Sequence, residues 1–174
     1  MLVEPHLPVR ELITAYLDGR GMEVTSVDSA SAARVAWAGL PHDVVVTETA
    51  LPDAEGADVL RQVGEGCGRL AIAASLSVPE TILTMQAGAE AVLLKPLRLR
   101  ELYDAIRGAA QRARGRERER LARDLFLGAS RCGTMAEASA LRAILDAEAD
   151  LLAGDPALRT ACTRVVHMAE QQCR

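Results

Sequence analysis

Short apolar runs alternate with amphipathic stretches along the first 110 residues of the chain. The apolar runs predict five strands, at Met1–Val3, Glu23–Val27, Val44–Thr47, Leu70–Ala74 and Ala91–Leu94. A stretch with helical spacing of apolar residues follows each run, as in the sequence after Pro8, where a proline suits the first turn of a helix. Regular alternation of this kind predicts an α/β fold, a doubly wound five-stranded parallel sheet between two layers of helices.

The pattern changes after Ala110. Residues 111–120 are almost wholly polar, so this segment either continues the preceding helix or forms a linker. Two further amphipathic stretches follow, the first beginning at Thr134 and running to Gly154, the second beginning at Asp155. No strand pattern occurs here. We therefore expect an α/β domain over residues 1–113 and an all-helical C-terminal segment over 114–174, consisting of a linker helix and a helical hairpin.

The distribution of charge supports a boundary at that place. The chain of 174 residues has a formal net charge of −4, but residues 1–97 hold 6 basic and 13 acidic residues, whereas residues 98–131 hold 10 arginines and 5 acidic residues. The arginines alternate with Glu117 and Glu119, so a solvated helix face with local ion pairs is favoured over a nucleic-acid-binding surface.

Composition narrows the classes of protein further. One Trp, one Phe and two Tyr provide few platforms for stacking bases. No apolar run is long enough to cross a membrane and no secretory signal is present, so the sequence predicts no membrane association and a cytoplasmic location. The four cysteines are widely spaced and form neither a CxxC pair nor a zinc-binding pattern, which predicts reduced thiols.

Four residues lie where the chemistry of a parallel α/β sheet is usually found. Ligands of such sheets bind at the carboxyl ends of the strands. Glu4, Glu48, Ser75 and Lys95 each follow a predicted strand closely. We therefore expect these four side chains to approach one another at one edge of the sheet.

The sequences around these residues resemble the response-regulator receiver family. The resemblance rests on four motifs in the family's order and spacing: Met1-Leu2-Val3-Glu4-Pro5-His6, Asp43 to Glu48 followed by Leu51-Pro52-Asp53-Ala54-Glu55-Gly56, Leu70 to Ser75, and Gly88 to Leu97 with its Lys95-Pro96 pair. It implies a flavodoxin-like receiver fold over about the first 113 residues. It also implies that a pair of acids binds Mg²⁺, that an aspartate accepts a phosphoryl group, and that a lysine and a hydroxyl contact that group.

The chain departs from the family's pattern at three positions. Glu48 occupies the position of the phosphoacceptor aspartate, and Pro5 occupies that of the second acid, where a proline ring offers no metal ligand. Val92 replaces the aromatic side chain that moves with the hydroxyl. Glu4, Ser75, Lys95 and Pro96 fit the pattern. We expect a pseudo-receiver with no Mg²⁺ or other cofactor, and two roles for Glu48 stay open: an imitation of the phosphorylated aspartate, or a structural ion pair with Lys95, which is favoured.

The sequence thus predicts a two-component signalling protein that is not an enzyme and works without phosphorylation, through contact with other proteins. The apolar stripes of the C-terminal hairpin need a surface to pack on, which favours a homodimer or a docked partner, and packing of these helices within their own chain stays open. Two alternatives remain: a transcriptional regulator whose helical segment binds DNA, and a conventional phosphorylated response regulator that tolerates Glu48.

Overall fold

A computed structural model describes residues 1–173. By their internal packing these residues form two compact units, Met1–Ala113 and a helical unit that begins at Arg114. The elements of the first unit are, in chain order, β1 (Leu2–Val3), α1 (Leu7–Asp18), β2 (Ser26–Val27), α2 (Ala30–Gly39), β3 (Val44–Glu48), α3 (Gly56–Gln62), β4 (Gly68–Ala73), α4 (Val78–Gln86) and β5 (Ala91–Leu94). The remaining elements are α5 (Leu99–Arg131), α6 (Met135–Ala147), α7 (Ala149–Ala153) and α8 (Pro156–Gln172).

The sheet has the order β2-β1-β3-β4-β5, and every neighbouring pair is parallel. This confirms the doubly wound five-stranded sheet. All five residues of β3 are buried, as its continuous run of β-branched residues predicts for a strand covered on both faces. The predicted strand from Glu23 to Val27 is shorter than expected, since only Ser26 and Val27 pair with β1.

Two apolar clusters cover the two faces of the sheet. One cluster joins Val3, Val45 and Ala71 to side chains of α2 and α3, and the other joins Leu2, Val46, Leu70 and Ile72 to side chains of α1 and α5. The alternation of β1 and β3 residues between the clusters follows from the two-residue repeat of a strand. These layers fix the carboxyl ends of the strands relative to one another.

The helical unit begins inside α5. The polar arginine-rich stretch does not interrupt the helix, which runs unbroken for 33 residues. The prediction of one helix from Thr134 to Gly154 is wrong, because Glu148 leaves the helical conformation (φ −99°, ψ 19°) and separates α6 from α7. No glycine or proline marks this break. Packing sets it instead, since Leu152 of α7 is fully buried in the unit's core.

The core of the helical unit contains side chains from α5 as well as from α6, α7 and α8. Leu125 and Ala129 of α5 lie in one cluster with Leu141, Leu145 and Val166. The hairpin therefore has an internal packing surface within its own unit. The apolar stripes of the hairpin thus pack within their own unit, which the sequence had left open, and association with a second copy or a partner stays a prediction. Among the described residues, no helix is long and apolar enough to cross a membrane.

Candidate functional site

Three of the four candidate side chains meet at the carboxyl edge of the sheet. Glu4 follows β1, Glu48 ends β3 and Lys95 follows β5. Nζ of Lys95 lies 2.8 Å from Oε2 of Glu4 and forms a second ion pair with Oε2 of Glu48. We call these three residues the Glu4–Lys95–Glu48 cluster.

The carboxylates of the cluster are almost completely removed from solvent. Glu4 is 0 % exposed and Glu48 is 6 % exposed, whereas the side chain of Lys95 remains 24 % exposed. Within residues 1–173, no other donor bonds to Oε2 of either glutamate, so both atoms depend on the ammonium. Burial of Lys95 lowers its pKa, but its hydrogen bonds to Glu4 and Glu48 outweigh this effect, and the net pKa is raised. Lys95 is thus held in its charged form.

Backbone donors and a side-chain hydroxyl fix the other carboxylate oxygens. The His6 amide donates to Oε1 of Glu4 at 3.0 Å, and the Thr49 amide and hydroxyl donate to Oε1 of Glu48 at 3.2 and 3.3 Å. The His6 side chain itself is exposed. Each glutamate therefore uses one oxygen for the chain that follows its strand and the other for Lys95.

The loop after β1 is held by a residue that the sequence did not single out. Arg10 of α1 donates through Nη1 to the carbonyl oxygens of Glu4 and Pro5, at 2.7 and 3.2 Å. Pro5 is half-buried and contributes no side-chain ligand. No spacing rule indicates this contact, because it depends on how the first turn of α1 folds back over the loop.

A second overlooked residue fixes the loop after β3. Both carboxylate oxygens of Asp53 accept backbone hydrogen bonds from the first turn of α2, from Ala30 and Ser31, each at 2.9 Å. These bonds lower the pKa of Asp53. The loop closes where the Gly56 amide donates to the Thr49 carbonyl, and a Cβ at Gly56 would lie only 3.0 Å from the carbonyl carbon of Glu48. The glycine of the Leu51–Gly56 motif is therefore a steric requirement.

The remaining predicted positions lie outside the cluster. Ser75 is exposed, stands two residues beyond the end of β4 and makes no hydrogen bond to the cluster within the described chain. The residue directly after β4 is Ala74, which has no hydroxyl. Val92 is half-buried against the apolar cluster shared with α2 and α3, and the Lys95–Pro96 bond is cis.

The donors at this edge do not fit a Mg²⁺ ion. Mg²⁺ requires near-octahedral oxygen ligands. Only Glu4 and Glu48 provide carboxylates here, and their oxygens already accept backbone hydrogen bonds or pair with Lys95. The carbonyl of Pro5 accepts from Arg10. No group of three or more metal-binding side chains occurs among residues 1–173.

Proteins of known function are similar to about two thirds of this chain. The virulence sensor protein BvgS of Bordetella bronchiseptica is 29 % identical over 123 residues, covering 65 % of this chain and 10 % of BvgS. The DNA-binding response regulator MtrA of Mycobacterium leprae is 25 % identical over 114 residues, covering 64 % of this chain and 51 % of MtrA. The chain thus spans about a tenth of one relative and about half of the other.

Solved structures agree on the fold. A CheY-like receiver domain from Methanospirillum hungatei superimposes with a TM-score of 0.62 at 20 % identity, over 64 % of this chain and 92 % of that one. The receiver domain of a LuxO repressor protein from Vibrio parahaemolyticus gives a TM-score of 0.59 at 23 % identity, over 67 % and 92 %. The sequence model of the response regulator receiver domain matches residues 1–107. The chain therefore belongs to the response regulator receiver family of two-component signalling.

Proposed function

We propose that this chain is a receiver-type signalling protein that works without phosphorylation, through contact with protein partners and with no catalytic step of its own. The observation that carries the proposal is the ion pairing of Lys95 with both Glu4 and Glu48. The cation that would neutralise an incoming phosphoryl group is already neutralised by the protein's own carboxylates.

The chemistry of phosphoryl transfer supports the same conclusion. The reaction depends on positioning and on charge neutralisation, for which the metal and the lysine are the main sources. Here the metal ligands are incomplete, and the Glu48 carboxylate is one methylene longer than that of an aspartate. Its oxygens occupy space next to Lys95 in which a phosphoryl group would have to lie. A buried pair of acids with one lysine also has a net charge of −1, which repels a phosphate donor.

Acetyl phosphate provides a direct test of phosphorylation independence. The full chain is incubated with acetyl phosphate and MgCl₂ beside a receiver that has the usual aspartate, and intact masses are compared. We expect a phosphoryl adduct on the control receiver and none on this chain. The double variant Pro5→Asp/Glu48→Asp restores the missing groups and is expected to gain the adduct. An adduct on the unmodified chain that Glu48→Gln removes would contradict the proposal.

Within this proposal, Glu48 acts as a structural ion-pair partner rather than as an imitation of a phosphorylated aspartate. Its carboxylate completes a buried cluster, and the hydroxyl position that would transmit a signal, Ser75, does not contact it. We expect Glu48→Ala to change amide hydrogen exchange only close to the cluster. Altered exchange that extends over α4 and the far end of β5 would favour permanent activation instead.

The helical unit is proposed as the docking or dimerisation part. Phe126 of α5 is 60 % exposed, and Ile144 of α6 and Met168 of α8 are about half exposed, although the unit has its own core. Light scattering on the full chain tests for a dimer. We expect Phe126→Ser to lower the apparent mass, and Val35→Ser, which also replaces an exposed apolar side chain by serine but on α2, to leave it unchanged.

We propose no nucleic-acid partner for this chain. Binding to DNA is dominated by phosphate contacts from Lys and Arg, and α8, the second helix of the predicted hairpin, carries only Arg159 and Arg164 as permanent cations. The similarity to MtrA covers about half of that protein. A shift of duplex DNA by the full chain at low salt would support the DNA-binding alternative.

A further inference from the structure

Two cysteines that are 41 residues apart in sequence meet at one end of the helical unit. Cys132 directly follows the last residue of α5, and Cys173 caps the C-terminus of α8. Their Sγ atoms are 3.4 Å apart. Neither cysteine lies in a sequence motif, and the prediction of four isolated reduced thiols did not anticipate that the fold would pair two of them.

The pair is accessible, and this separates it from the other cysteines. Cys132 and Cys173 are both half-buried, whereas Cys67 and Cys162 are buried. Cys162 is part of the apolar core of the helical unit and lies about three helical turns before Cys173 on α8. A small reagent can therefore reach Cys132 and Cys173 without unfolding the unit.

The local geometry leaves both thiols free to rotate toward each other. Cys132 stands between the end of α5 and Gly133, with its thiol 3.5 Å from the Thr134 carbonyl, and Cys173 is the C-cap residue of α8. A disulfide requires a sulfur–sulfur distance of about 2.05 Å. Side-chain rotation at two helix ends can supply the remaining displacement without a change in the helices themselves.

We propose that Cys132 and Cys173 form a redox-sensitive dithiol that closes into a reversible disulfide, with a small-molecule disulfide such as oxidised glutathione as the oxidant. One cysteine thiolate attacks a glutathione sulfur, which forms a mixed disulfide and releases the first glutathione thiolate. The second cysteine thiolate attacks the protein sulfur of that mixed disulfide and releases the second glutathione. The two cysteines lose two electrons and two protons, and the oxidant gains both.

The disulfide would hold α8 against the end of α5. It closes a loop that contains α6, α7 and α8, and a crosslink of a long loop restricts the unfolded chain more than the folded one. The oxidised form should therefore resist unfolding of the helical unit, and a reductant should reverse this.

The test uses the full chain in glutathione buffers of increasing oxidised fraction, with remaining thiols alkylated before intact mass measurement and peptide mapping. We expect the unmodified chain to lose two hydrogens, to bind no glutathione, and to give a crosslinked peptide pair that contains Cys132 and Cys173. In Cys173→Ser, a glutathione adduct should accumulate on Cys132, because no second thiol can displace it. Cys132→Ser should show the same behaviour at Cys173.

Two outcomes would overturn the proposal. One is an unmodified chain that collects glutathione adducts on both cysteines, as the single variants do. The other is a disulfide between two chains, seen as a reducible dimer. A second measurement follows helix content by circular dichroism during heating. We expect the oxidised form to melt several degrees higher than the reduced form, an effect that dithiothreitol removes and that neither serine variant shows.

Discussion

Replacing Lys95 by Met tests how far the Glu4–Lys95–Glu48 cluster stabilises the first unit. The substitution keeps the length of the side chain and removes the cation that pairs with two buried carboxylates. At an effective dielectric constant of about 20, a single pair 2.8 Å apart gains roughly 6 kcal/mol of Coulomb energy, part of which offsets desolvation. Removing one partner of a buried pair typically costs about 3–5 kcal/mol, and we expect a loss in this range.

Urea unfolding followed by tryptophan fluorescence measures this loss of stability in the first unit. Trp37 is the only tryptophan, and it packs against the apolar cluster shared by α2 and α3, so its fluorescence follows the first unit. The matched control is Arg98→Met. It removes a cation from an ion pair whose side chains are 81 % and 60 % exposed, and such a pair contributes about 0–1 kcal/mol.

A double variant separates the charge effect from lost packing. Adding Glu48→Gln to Lys95→Met removes one of the two uncompensated carboxylates and should recover part of the lost free energy. A loss below about 1 kcal/mol at pH 8, or no recovery in the double variant, would refute the electrostatic argument.

Three further predictions concern packing and loop closure. Gly68→Ala places a Cβ within 3.0 Å of three atoms of α5 and should cost about 1–3 kcal/mol in urea unfolding, whereas Gly64→Ala meets open space and should be nearly neutral. Asp53 has a lowered pKa in the folded state, so it contributes to the free energy of unfolding above its unfolded pKa, and this contribution is lost as the pH falls through the folded pKa. The difference in urea midpoint between the unmodified chain and Asp53→Asn should therefore shrink between about pH 5 and pH 2. Leu152→Ala empties a fully buried position and should destabilise the helical unit by about 2–5 kcal/mol by circular dichroism, against little change for the exposed Leu127→Ala.

The sheet could be predicted because its signals are local. The unbroken apolar run of β3 and the helical spacing that follows each strand specify an alternating α/β fold, and the family motifs place three cluster residues at one edge. The break at Glu148 could not be predicted, because no glycine or proline marks it and it accompanies the packing of α7 and α8 into one core. The contacts of Arg10 and Asp53 likewise join elements whose relative placement no spacing rule describes.

The same distinction between local and long-range information applies to the two clusters of reactive groups. Glu4, Glu48 and Lys95 come together because parallel strands end at a common edge, so any sequence with this alternation brings its strand-end residues together. Cys132 and Cys173 meet only because α8 runs back along the unit to the end of α5, a path that depends on the turns on either side of α7. The first cluster is therefore a property of the fold. A substitution such as the glutamate at position 48 changes the chemistry of the site but not its position at the edge of the sheet. The second is a property of this chain's own helical unit, and its chemistry can be lost by a single change at either cysteine.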